Sequence, residues 1–233
     1  MNREKLLEYG IDNNLIIMSE YDMFEELDDL SQETILGEIT DDLLKNSYIK
    51  RVWAMPNSKT FKIKPIKELI DNYVFDDDIV LDPFANEHSI KNEIKCKKYI
   101  SNDIDTSFDT DYHLEAQDFL KLFKDNSVDV ILFDPPYSGR QVKECYTRLG
   151  KTVTMNDTNS GYFTKFKKEI ARVLKPNGIC ITCCWNTNGI GKKYGFEIIE
   201  VLDVAHGSMH NDTLVTVERK INNQIVSNSK VGE

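Results

Sequence analysis

From about residue 50 onward, short apolar runs rich in β-branched residues alternate with amphipathic stretches, and this alternation constrains the fold more than any other feature. Residues 78–82 (Asp-Ile-Val-Leu-Asp), 98–101, 112–114, 128–133 and 179–185 read as five strands, the third of them short. Residues 65–73, 87–96, 115–124 and 160–174 read as the helices between them. Strands alternating with helices predict a doubly wound α/β layer built on a parallel sheet. The last two runs, 196–204 and 213–218, are joined by a short loop of Gly, Ser, His and Asn. They predict a C-terminal hairpin that gives the sheet an antiparallel edge.

Residues 1–50 differ from the rest. Leu27, Leu30, Ile35, Leu36, Ile39, Leu43 and Leu44 recur at helical steps, and Ser31 stands where a helix would start. This segment holds 13 acidic and 4 basic residues, whereas the remaining 183 hold 26 and 25. The net charge of −10 therefore belongs mostly to an appendage. Its candidate uses are packing on the main domain, or an arm for a homodimer or a protein partner. The domain reading is 1–50 as an acidic helical segment, 51–221 as the α/β domain and 222–233 as a polar, fraying tail.

Several function classes are excluded on the same footing. No apolar run is long enough to span a membrane, and no basic region followed by an apolar stretch marks a signal peptide. The expected compartment is therefore the cytoplasm. Five cysteines at irregular spacing do not make a disulfide framework. Cys180-Ile-Thr-Cys183 lies inside a strand, and no second Cys/His pair stands at zinc-finger spacing. His206 and His210 in the hairpin loop lack a third ligand, so no metal is expected.

The chemistry concentrates at Asp134-Pro135-Pro136-Tyr137, which follows the strand 128–133 directly. In open α/β sheets, ligands bind beyond the carboxyl ends of strands. The two prolines fix φ and stiffen the turn. An exocyclic amine of a base offers two N–H donors. Asp134 and the Pro135 carbonyl can accept both, which aligns the nitrogen towards an electrophilic methyl. Tyr137 can stack on the base, and a duplex base would have to be flipped out to reach it. The acidic residue Asp103 lies about 20 residues after Asp82, the spacing at which Rossmann sites hold ribose hydroxyls, with Asp105 as a competitor.

The tetrapeptide resembles the catalytic motif of S-adenosylmethionine-dependent amino-methyltransferases, especially DNA adenine-N6 enzymes. Asp82-Pro83-Phe84 after the first strand is similar to that family's cofactor loop, Asp-Pro-Phe-x-Gly. The sequence departs from the pattern there, because Ala85-Asn86-Glu87 replaces the glycine-bearing turn. The resemblance implies a Rossmann-like class I methyltransferase fold with S-adenosyl-L-methionine as cofactor. It implies a cofactor site built on Phe61, Asp82, Pro83, Phe84, Ala85, Asp103, Asp118 and Phe119. Asp118 would accept from the cofactor's adenine amine, with Phe119 packed nearby, and Phe61 would belong to the covering segment that precedes the first strand.

Segment 138–163 is long and polar and reads as a substrate-facing loop. Ser138, Arg140, Asn186 and His210 are the candidate substrate contacts. Trp185-Asn-Thr-Asn-Gly, the His206–Asp212 loop and the terminal Thr-Val-Glu-Arg-Lys are together similar to small stand-alone adenine methyltransferases of phages and prophages. The resemblance covers roughly 51–220 and implies DNA as the partner, in a bacterial or phage-infected cell, with self-protection or restriction–modification among the roles. Family members of this motif order usually carry a target-recognition domain after the hairpin, and none is expected in the dozen or so residues of this sequence after it. RNA adenine, cytosine N4 and a catalytically inactive partner subunit are the competing readings. Protein-glutamine methylation is disfavoured by Asp at the first position of the tetrapeptide.

Overall fold

The computed structural model describes residues 31–32, 35–37, 49–86, 90–155, 161–207 and 210–221. The chain divides into two compact units, Met1–Tyr48 and Ile49–Glu233. In the first unit, Ser31, Gln32 and residues 35–37 are helical. The remainder of the helical reading up to residue 48 lies outside the described residues, as does the predicted tail 222–233. Among the described residues, no helix is long and apolar enough to cross a membrane.

The second unit is built on one seven-stranded sheet. Its strands are β1 (Ile49–Trp53), β2 (Ile79–Asp82), β3 (Lys98–Ser101), β4 (Val128–Phe133), β5 (Leu174–Cys184), β6 (Phe196–Ala205) and β7 (Thr213–Lys220). They lie in the order β1-β6-β7-β5-β4-β2-β3. β7 runs antiparallel to both β5 and β6, and every other pairing is parallel. The helices are α1 (Lys64–Tyr73), α2 (Ala116–Lys121), α3 (Gly139–Arg148) and α4 (Tyr162–Val173). The expected doubly wound layer with a C-terminal hairpin is therefore present.

Side-chain alternation along the central strands explains why both faces are covered. Val130 and Leu132 of β4 enter one core with Ile66 and Ile70 of α1. Ile131 and Phe133, one residue out of phase, enter the other with Phe119 of α2 and Phe166 and Ile170 of α4. A strand buried on both faces carries a continuous apolar run, as Val130–Phe133 of β4 do. Each fully buried side chain of this size contributes roughly 1.5–3 kcal/mol. Cys180 and Cys183, three apart on β5, point into opposite cores, so the pair cannot converge on one ion.

Four expectations are corrected. The hairpin is not the edge of the sheet, because β1 pairs along the far side of β6. β1 carries no apolar alternation, and four of its five residues are exposed, which hid it in the sequence. No helix occupies residues 90–96. Ile90 and Ile94 are both buried, but a single turn closed by Glu93 N–H on the Ile90 carbonyl satisfies their spacing. The short third strand reduces to one parallel bridge between Asn102 and Tyr112. Segment 138–163 is not all loop, since α3 occupies its first part. Ser138 caps that helix by accepting from Gln141 N–H, and Val142 and Tyr146 bury one face of it.

Candidate active site at the carboxyl ends of β2, β3 and β4

The chain leaves β2 towards β3 on one side and returns to β4 on the other. The carboxyl ends of β2 and β4 therefore flank the point where the strand order reverses. Ligands of doubly wound sheets bind at such a point. A cavity of about 450 Å³ lies there, within the ~300–1,000 Å³ range of small-molecule sites. Pro83, Phe84, Asn86, Asp103, Asp105 and Glu115 line one end, and Asp134, Pro135, Pro136 and Tyr137 line the other.

The β2 loop is fixed from below. Asp82 is fully buried and accepts from the Tyr99 hydroxyl at 2.6 Å and the Phe84 N–H at 3.3 Å. Burial pushes its carboxyl up to about 7. Asn102, also buried, donates to the carbonyls of Pro83 and Leu114 and accepts from Leu114 N–H, tying the loops after β2 and β3 to the segment before α2. Phe84 packs edge-on against Phe133 and Phe166 at 5.7 and 5.4 Å.

The departure from the glycine-bearing turn has a direct explanation. Asn86 stands at the position of the family's glycine and takes a left-handed conformation with φ of 53°. That region suits glycine and, among other residues, asparagine. The turn is therefore made without glycine. Asn86 N–H then donates to Asp103 Oδ2 at 2.9 Å, while Asp105 N–H donates to Oδ1 at the same distance. Asp103 thus braces two loops, and its carboxyl is raised by burial. Asp105 accepts from the Ser107 hydroxyl and N–H, which hold its carboxyl below the usual range.

At the other end, Tyr137 donates its hydroxyl to Asp134 Oδ1 at 2.6 Å. The Thr60 hydroxyl also favours the Asp134 carboxylate. Burial pushes the Asp134 carboxyl up to about 6 against these donors. The Tyr137 phenol is pushed far above its ordinary range by burial and by the neighbouring Asp134 carboxylate. The Tyr137 ring meets the partly exposed Trp185 edge-on at 5.6 Å.

The other predicted residues are placed as follows. Phe61 is buried in the core beside α1, and its neighbour Thr60 is the residue of that segment that lines the cavity. Ala85 is buried and donates to the Asn102 carbonyl. Asp118 is exposed on the outer face of α2, paired with Lys121 at 2.9 Å, and does not line the cavity. Phe119 is fully buried against Tyr112 and Phe123. Ser138 caps α3. Arg140 is exposed and paired with Glu144. Asn186 and His210 are exposed and lie away from the cavity lining. His206 is buried between the Ala54 carbonyl and the Thr213 hydroxyl, as a hairpin-shaping residue would be. Among the described residues, no group of three His, Cys, Asp or Glu side chains is placed to hold a metal ion.

The sequence reading missed Glu115, Asn102 and Gln141. Glu115 lines the cavity and accepts from the Tyr146 hydroxyl at 2.9 Å and from Lys151 at 3.1 Å. Only its position just before a helix start hinted at a role.

The sheet order and the antiparallel β7 settle the class. The chain carries a Rossmann-like class I methyltransferase fold. No protein-family model matches the sequence, and no curated protein matches it. Among solved structures, it is similar to TrmN from Thermus thermophilus, with 16% identity over 68% of this chain and 49% of that one and a TM-score of 0.47. It is also similar to 1,6-didemethyltoxoflavin-N1-methyltransferase of Burkholderia thailandensis, which was crystallised with 1,6-didemethyltoxoflavin and S-adenosylhomocysteine. There the identity is 12% over 63% of this chain and 72% of that one, with a TM-score of 0.43. The fold assignment rests on the strand order rather than on these likenesses.

Proposed function

We propose that this chain is an S-adenosyl-L-methionine-dependent methyltransferase acting on adenine N6 in DNA. One observation carries the reading: the loop after β2, Asp103 and Asp105 after β3, and the Asp134-Pro-Pro-Tyr137 loop after β4 all line a single cavity. A cofactor at one end and an amine at the other would share one cavity.

The residues present fit that cofactor. Asp105 and Asp103 offer carboxylates for hydroxyl groups, Ile104, Phe108 and Leu114 offer apolar wall, and the acidic lining suits a cationic sulfonium. The left-handed Asn86 restores the turn that its missing glycine put in doubt, so the reading of the chain as an inactive subunit loses the feature that favoured it. When bound, the cofactor supplies an electrophilic methyl group.

The chain's own residues position the nucleophile. Asp134 accepts one amine hydrogen and the Pro135 carbonyl accepts the other, which directs the nitrogen along the cavity. To do so Asp134 must be a carboxylate, which has acceptor sites beyond the one that the Tyr137 phenol occupies. Tyr137 forms the wall on which the base stacks, with Trp185 extending it to the rim. Most of the rate comes from holding two reactants in one geometry. Exposed Arg140, Lys143, Arg148 and Lys151 stand on or just after α3, beside the catalytic loop, where a phosphate backbone could follow them.

Nucleoside mass spectrometry tests the reading. DNA and RNA are each incubated with the protein and S-adenosyl-L-methionine, then digested. N6-methyladenine in the DNA is expected. N4-methylcytosine, or modification of the RNA alone, would overturn the substrate assignment.

A further inference from the structure

Gln141 has a role in the α3 cap that leaves half of its side chain unexplained. Ser138-Gly-Arg-Gln141 has the pattern of a capping box, in which the fourth residue reaches back to the start of the helix. Here Gln141 N–H donates to Ser138 Oγ at 3.3 Å, and Gln141 Oε1 accepts from Tyr137 N–H at 2.6 Å. An N–H can only donate, so the atom facing Tyr137 must be the amide oxygen. The orientation of the carboxamide is therefore fixed. Gln141 lines the cavity alongside Asp134 and Pro135, and its Nε2 carries two donor hydrogens that the cap does not use.

The chemistry of the neighbouring groups says what such a donor would meet. Asp134 and the Pro135 carbonyl are acceptors and match the two hydrogens of an exocyclic amine. In adenine that amine is flanked by two ring nitrogens, N1 and N7, and both are acceptors. Neither Asp134 nor the Pro135 carbonyl can serve them. We propose that Gln141 is a specificity-determining residue whose Nε2 donates to the ring nitrogen flanking the target amine. This rests on the methyltransferase reading above. It gives the site an alternating acceptor–donor edge that pairs with an aminated ring and rejects an amine without an adjacent acceptor, such as a lysine side chain.

The test separates this role from the cap. Gln141→Glu keeps an oxygen for Tyr137 N–H and removes the donor, whereas Gln141→Met adds no charge but removes the cap oxygen together with the donor. Single-stranded DNA pools of random sequence are made by chemical synthesis with adenine, 1-deazaadenine or 7-deazaadenine, so that every short sequence context is present. Methyl transfer by each protein to each DNA is then measured. The wild type should lose about tenfold or more on one of the two deaza DNAs, the loss expected for an unmade buried hydrogen bond. Both variants should show a similar loss on adenine DNA and no further loss on that same deaza DNA, with melting temperature and S-adenosylhomocysteine affinity unchanged for at least one of them. Equal deaza penalties in wild type and variants, or variants within twofold of wild type on adenine DNA, would overturn the inference and leave the methyltransferase reading standing. A wild type that methylates none of the DNAs would overturn both.

Discussion

The phenol of Tyr137 donates a 2.6 Å hydrogen bond to Oδ1 of Asp134, so the first and last side chains of the Asp-Pro-Pro-Tyr loop close on each other. The two prolines between them hold the backbone while this contact holds the side chains. The phenol is the strongest of the donors that favour the Asp134 carboxylate against burial.

Tyr137→Phe removes that donor. Asp134, pushed up to about 6 in the intact site, then moves higher, because its charged form has lost support. Since the carboxylate is the form proposed to accept the amine, kcat/KM should rise with pH through about 6 in the wild type and through a higher value in the variant. Its deficit relative to wild type should be larger at pH 6 than at pH 8. A deficit independent of pH would show that the phenol acts only as a wall.

Asn86 holds the turn after β2 in a conformation that most residues resist. Asn86→Gly should keep the melting temperature and the S-adenosylhomocysteine affinity close to wild type. Asn86→Val should cost about 1–3 kcal/mol of backbone strain and weaken cofactor binding, since Asn86 N–H would no longer meet Asp103. Calorimetry with both variants checks this.

Gly189 stands against Glu218, whose buried carboxylate accepts from Ile190 and Gly191 N–H at 2.5 and 2.8 Å. A methyl group at Gly189 would sit 2.2 Å from Glu218 Oε2, on a backbone with φ of 44°. Gly189→Ala should therefore destabilise the domain by about 2–4 kcal/mol in denaturant unfolding. Glu218→Ala, which removes the obstruction but strands the buried Ile190 N–H and the half-buried Gly191 N–H, should cost about 2 kcal/mol or more.

Asp82 ties stability to pH. Its carboxyl rises from 3.8 to about 7 on burial. A group whose folded-state value lies above its unfolded one holds its proton more tightly when folded. Its contribution is complete below about 4 and is lost as pH rises through about 7. Each unit is ~1.4 kcal/mol, so the loss is on the order of a few kcal/mol. Asp82→Asn should flatten the fall in unfolding free energy between pH 5 and pH 8, measured by urea titration.

The elements that carry the tetrapeptide and the Asp82 loop were legible because β-branched runs mark buried strands, and the chemistry sits at their ends. What stayed hidden depends on tertiary contact. Glu115 and Asp118 differ by less than one helical turn. Because α2 begins at Ala116 and buries Ala116, Phe119 and Leu120, Asp118 faces outward and Glu115 stays at the cavity. Nothing local in the sequence sets that phase. Asn102 matters through loops that converge only in the fold. β1 lacks an apolar rhythm because its partner β6 supplies the pairing and its own side chains stay largely exposed. The left-handed Asn86 was visible as a missing glycine, while its compensating conformation was not.

The role proposed for Asp134 is to orient an amine for methyl transfer. Transfer of a labelled methyl group from S-adenosyl-L-methionine to unmethylated DNA, by wild type and by Asp134→Ala, tests it most directly. The expected result is label recovered as N6-methyladenine with the wild type and a loss of about a hundredfold or more with the variant, at unchanged cofactor affinity. Equal incorporation by the two proteins would contradict the account.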